Sequence, residues 1–126
     1  MWPLRLAFVL LWAGVIFALS SLSNPPGETS AEWPSYVAHL TEYAVLAFLV
    51  VRWAAAAFPG APLSVLLLVA WVACAAYGAS DEFHQSFVPE RDASPVDWAV
   101  DALGSAFGLA LWRLMVWLPG TRRTLS

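Results

Sequence analysis

Four apolar runs, at residues 4–22, 38–58, 62–79 and 96–118, decide what this chain can fold into. Each approaches the ~20 residues that carry an α-helix across the hydrocarbon core of a membrane. Together they use up most of the 126 residues, so the expectation is an all-α integral membrane four-helix bundle, one domain over residues 1–126. Composition agrees, with 60% hydrophobic and 12% charged residues against ~45–50% and ~25% in soluble domains. Pro25, Pro26 and Gly27 stop the first helix, and Pro59, Gly60 and Pro62 form a tight turn between the second and third. Proline lacks the donor a helix needs and glycine gives up backbone entropy there. Such connections predict an up-down-up-down order. Arg5 followed by apolar sequence also has the outline of a signal peptide, but the stretch exceeds the ~7–15 residues of an h-region. Residues 1–23 are therefore read as a retained helix.

Charge sets the orientation. If the helices alternate, Arg5, Arg52, Arg122 and Arg123 fall on one side, with Arg113 within snorkelling reach of it, and Arg91 is the single cation on the other. An arginine excess marks the cytoplasmic face, so both termini are expected in the cytoplasm. All nine acids, from Glu28 to Asp101, then lie in the outer loops or outer helical turns. Tryptophans fit the same frame, with Trp2, Trp53 and Trp117 near the inner interface and Trp33 and Trp98 near the outer one. No basic tract suggests nucleic acid. The lone Cys74 excludes an intrachain disulfide and reads as helix packing.

Ionisable groups at membrane depth cost ~2.5–3.5 kcal/mol each on insertion scales, so those that occur there point to a site. The second helix carries His39, Glu42 and Tyr43 at spacings that place them on one face. The third places Tyr77, Asp81 and Gln85 four apart with Glu82 and His84 adjoining, and the fourth begins with Asp97 and Asp101. Three helices thus deliver imidazole, carboxylate, phenol and amide groups to one level of the outer leaflet. Glu90 and Asp92 read as solvated loop acids, and Asp97 fits equally well as a first-turn acid favoured by the helix dipole. Asp101 sits a turn deeper, followed by Gly104 and Gly108, whose spacing lets another helix backbone approach closely. That face is expected to press into the bundle, with Arg91 as counterion to a buried carboxylate. The glycines also offer a seam for a partner helix.

Several chemistries fit this cluster. His39 with Glu42, or His84 with Asp81, has the composition of a general base and its orienting carboxylate. A serine nucleophile at Ser20, Ser21 or Ser86 is a weaker reading, since serines abound at helix ends. No H-E-x-x-H or comparable ligand spacing is present, so neither a metal nor another cofactor is expected. Recognition of a polar headgroup, with the bundle facing lipid, is the remaining reading.

The string YGASDEFHQSFVPERDASPVD, Tyr77 through Asp97 and continuing to Gly104 and Gly108, resembles the signature of the VanZ-like family of small bacterial membrane proteins. Resemblance runs over residues 10–111, with weaker matches at Ser20 and Ser21 and at His39, Tyr43 and Leu46. It implies a multi-pass protein of the bacterial inner membrane, connected through the name-giving member with resistance to the lipid-bearing glycopeptide teicoplanin. By motif match it carries over Glu82, Gln85, Arg91 and Asp97 as polar family positions, with His39 and Tyr43. Many relatives have Asp-Lys at Ser35 and Tyr36, Gly at Glu90 and Asn at Asp101, so this chain loses a cation and gains an acid near the cluster. The expected ligand-binding set is His39, Tyr43, Asp81, Glu82, Gln85, Arg91, Asp97 and Asp101, with His39, Glu42, Glu82, His84 and Asp97 as catalytic candidates. The leading expectation is an envelope protein engaging membrane lipids or a lipid-linked envelope precursor. The alternatives are an intramembrane hydrolase or transferase and a structural subunit of a membrane complex.

Overall fold

A computed structural model of the chain describes residues 1–23 and 32–118. The Pro25–Pro26–Gly27 stop and the tail arginines Arg122 and Arg123 lie outside these residues. Four helices appear: α1 (Trp2–Ser20), α2 (Trp33–Ala57), α3 (Leu63–Gln85) and α4 (Pro95–Trp117). All four are long and apolar enough to cross a membrane. Boundaries depart from the apolar runs where polar residues are helical. α2 starts five residues before the run at 38, with Pro34 in its first turn, where the missing N–H costs nothing. α3 continues six residues past 79, because Ser80 to Gln85 contains no helix breaker. Ser94 caps α4 by accepting from the N–H groups of Val96 (3.2 Å) and Asp97 (3.4 Å). Between α2 and α3, the Ala61 N–H bonds the Phe58 carbonyl at 3.0 Å in the expected tight turn.

Each of α2 and α3 touches all the other helices, whereas α1 and α4 do not meet. Leu40 packs on Gly104 and Ala44 on Gly108, so α2 and α4 run in the same direction. Arg5 meets Arg52 and Trp12 meets Glu42, so α1 and α2 run oppositely. The glycine face therefore presses into the bundle as expected. α2 fills it, and a Cβ at either glycine would run into α2 backbone. This corrects the reading of Gly104 and Gly108 as a seam for a partner helix, because the bundle already uses that close approach internally.

The core holds Ile16, Tyr43, Leu46, Val51, Cys74 and Trp112. Cys74 is buried among them, a packing residue. Lipid tails are as apolar as leucine, so association rests on close packing and interhelical hydrogen bonds rather than on exclusion from water. Aromatic donors supply these bonds. Tyr77 donates to the Ala13 carbonyl (2.6 Å), Trp12 to Glu42 (2.9 Å), Trp98 to Ala75 (2.9 Å) and Trp71 to Ala102 (3.0 Å). Phe8, Leu11, Leu68, Leu103 and Phe107 point outward, as lipid-facing side chains must.

Candidate functional site

At the end of the bundle where α2 and α4 begin and α3 finishes, the polar residues converge. His39 Nδ1 lies 2.8 Å from Asp101 Oδ1, and both side chains are buried. This pair forms because the glycines below it hold α2 and α4 backbone to backbone. Gly78 on α3 gives the carboxylate its space, since a Cβ there would stand 3.1 Å from Asp101 Oδ2 and 3.4 Å from Tyr43 Cε1. Ser105 donates to the Asp101 carbonyl at 2.8 Å, which keeps its hydroxyl satisfied within α4.

The partner of Asp101 is thus His39. Arg91, expected as the counterion, instead lines the cavity described below, close enough to Glu42 for their charges to act on each other. A count of permanent cations overlooks an imidazole, which can face a carboxylate as a donor. Glu42, the carboxylate expected beside His39 from its own helix, is not the hydrogen-bond partner, because the imidazole reaches across to α4.

Glu82 comes from α3. Its Oε2 accepts from the Ser94 N–H at 2.9 Å, placing a carboxylate at the N-terminus of α4 where the dipole favours it, and its Oε1 has no hydrogen-bond partner among the described residues. Asp101 Oδ2 is likewise without one. One donor atom from each of His39, Glu82 and Asp101 lies within 4.8 Å of the others, and all three residues are buried. No linear motif reveals this grouping, because each residue belongs to a different helix.

Beside this trio lies Asp81, buried, with the Ser20 and Tyr43 hydroxyls facing it without closing a hydrogen bond. Gln85 Nε2 reaches Asp81 Oδ2 only at 3.5 Å. Asp97 is half-buried in the first turn of α4, its charge near His39 and Glu82. His84 is near enough to Asp81 for their charges to act on each other, but its direct contacts are with α1. Its Nε2 lies 3.0 Å from Ser21 Oγ and its ring stacks on Phe17 at 4.6 Å. Since Ser21 already donates to the Phe17 carbonyl at 2.7 Å, the serine must accept from the imidazole. A nucleophile needs the opposite polarity, so Ser21 and His84 form a clasp between α1 and α3 rather than a reactive pair.

A cavity of ≈ 510 Å³ lies among α1, α2, α3 and the segment after α3. Trp12, Leu19, Trp33 and Val37 give it apolar walls, and His39, Glu42, Asp81, Gln85 and Arg91 give it a polar side. Trp12, Leu19 and Trp33 were not among the expected site residues. Their sequence signal, bulky apolar residues on helices one and two, is indistinguishable from lipid-facing surface until the helices are placed.

Following the polar residues, Glu90 adopts φ 63°, the only non-glycine residue with positive φ among those described. Glycine reaches this left-handed backbone without the steric penalty that a Cβ brings.

Comparison with curated proteins and with solved structures finds no match. A sequence model described as VanZ/LLP1 matches residues 6–116, nearly the whole span over which the four helices and the polar cluster have been described. The chain belongs to the VanZ/LLP1 family.

Proposed function

We propose that this protein lies in the bacterial inner membrane with both termini cytoplasmic, and that its polar cavity faces the outer leaflet and engages the headgroup of a lipid-anchored envelope molecule. The carrying observation is the cavity itself: ≈ 510 Å³ is within the range of small-molecule sites, and it joins apolar walls at Trp12 and Leu19 to charged groups at Glu42, Asp81 and Arg91. An amphiphile presents that same division between tail and head. Exposed Trp33, Phe83 and Phe87 at this end suit a membrane interface. The arginine asymmetry, with Arg5 and Arg52 meeting at the opposite end, supports the orientation.

Family membership extends the reading to lipoglycopeptide tolerance. Teicoplanin carries an acyl tail that anchors it at the membrane and vancomycin does not, so a protein working in the outer leaflet should affect the tailed drug more. Expression in a susceptible Gram-positive host is expected to raise teicoplanin tolerance and leave vancomycin tolerance nearly unchanged. Glu42→Gln or Arg91→Ala should abolish the difference without loss of protein from the membrane. Equal shifts for both drugs, or none, would refute this role.

The His39–Asp101 distance of 2.8 Å favours a second reading, an intramembrane hydrolase or transferase in which His39 is a general base oriented by Asp101. His39 also borders the cavity, as a base must. Turnover of a lipid-linked substrate by purified protein, lost in His39→Ala, would establish it. Binding without turnover returns the choice to recognition.

A further inference from the structure

The buried trio at the head of α4 has an electrostatic imbalance that the groups of the described residues do not resolve. Glu82 and Asp101 are 7% and 0% exposed, and each keeps one carboxylate oxygen without a hydrogen-bond partner among the described residues. An orphaned buried acceptor costs ~1–3 kcal/mol, and more when charged. Two such oxygens beside one imidazole, with Asp81 buried close by, call for positive charge. Buried carboxylates of this kind are paired or coordinate a metal.

We infer that His39, Glu82 and Asp101 form a binding site for a divalent transition-metal cation. Imidazole with two carboxylates is a ligand set suited to Zn²⁺ or Mn²⁺, and three protein ligands are the number found in sites that keep a position open for water or substrate. Donor atoms bound to one ion at ~2.1 Å stand roughly 3.0–3.4 Å apart. The His39–Asp101 pair, at 2.8 Å, is already near that spacing, and the widest separation in the trio is within 4.8 Å. Contraction by a side-chain adjustment completes the set. His39 also lines the cavity, so an ion here stands next to whatever the cavity holds. The inference itself is independent of that occupant.

The hydrogen that lies between Nδ1 and Oδ1 must vacate that position before both atoms can face a cation, and a neutral imidazole allows this by carrying its hydrogen on Nε2 instead.

The test uses the full-length protein purified in detergent, stripped with chelator, and titrated with Zn²⁺ or Mn²⁺. Expected are one ion per chain by elemental analysis after desalting, a raised unfolding temperature, and a Mn²⁺ resonance signal that broadens on binding. Glu82→Gln and Asp101→Asn nearly preserve shape, so each should stay folded by circular dichroism while weakening affinity about tenfold or more. His84→Ala, outside the trio, should bind as the parent does. Failure of the parent chain to retain an ion at micromolar metal would overturn the inference. So would equal binding by folded Glu82→Gln and Asp101→Asn.

Discussion

Replacing Gly108 by alanine tests the seam on which the whole site is built. A Cβ there would stand 2.8 Å from the carbonyl carbon of Ala44 and 3.0 Å from its Cα. Ordinary contact begins at 3.4 Å, so clearing the carbonyl carbon alone parts α2 and α4 by 0.6 Å (3.4 − 2.8), and clearing the Ala44 carbonyl oxygen, which is nearer still, requires more. Overpacking costs ~1–3 kcal/mol, and the new methyl returns ~1 kcal/mol of helix propensity. Because the obstacle is backbone and cannot rotate aside, the upper end of the cost applies, leaving a net loss of ~2 kcal/mol. Gly104→Ala, with Leu40 Cα at 3.0 Å, should behave similarly, while Gly78→Ala meets mainly the Asp101 and Tyr43 side chains and should cost less. Gly14 has nothing within 4 Å, so Gly14→Ala should be neutral or stabilising. Unfolding in mixed micelles of rising dodecyl sulfate content, followed by circular dichroism, ranks the four variants. Equal stability of Gly108→Ala and Gly14→Ala would refute the close α2–α4 approach.

Breaking the buried His39–Asp101 pair from either side by alanine should cost ~3–5 kcal/mol, and the double variant should lose less than the sum; additive losses in the same micelle assay would mean that the pair does not interact. Glu90→Gly should stabilise the protein by ~1–2 kcal/mol by relieving the left-handed backbone, and a loss of stability would show that the Glu90 side chain outweighs its φ. Reporters fused after Ser126 or within residues 58–62 should read cytoplasmic and those within residues 26–32 external, so an externally reading C-terminus would reverse the proposed orientation.

The four helices were legible because apolar length alone announces a span. Their ends were not: α2 opens ahead of its apolar run with Pro34 in a first turn that tolerates proline, and the last turns of α3 are polar yet free of breakers. Periodicity also brought His39, Asp81 and Asp101 to one level. It did not reveal the partners. His39 and Asp101 are 62 positions apart in sequence, and spacing rules describe neighbours on one helix, so Glu42 looked the better match. His84 shows the same limit: it lies two residues after Glu82, yet helical rotation turns it toward Ser21 and Phe17. The apolar wall of the cavity was hidden for a different reason. In a membrane protein the outside is apolar too, and Trp12 or Leu19 carries no mark distinguishing a pocket from lipid.

The proposed engagement of an amphiphile is tested most directly by mass spectrometry of the gently extracted protein. The account predicts about one lipid-anchored envelope molecule per chain, enriched over its share of the source membrane and lost from Glu42→Gln and Arg91→Ala. Recovery of bulk phospholipid alone, in membrane proportion and unchanged by those substitutions, would contradict it.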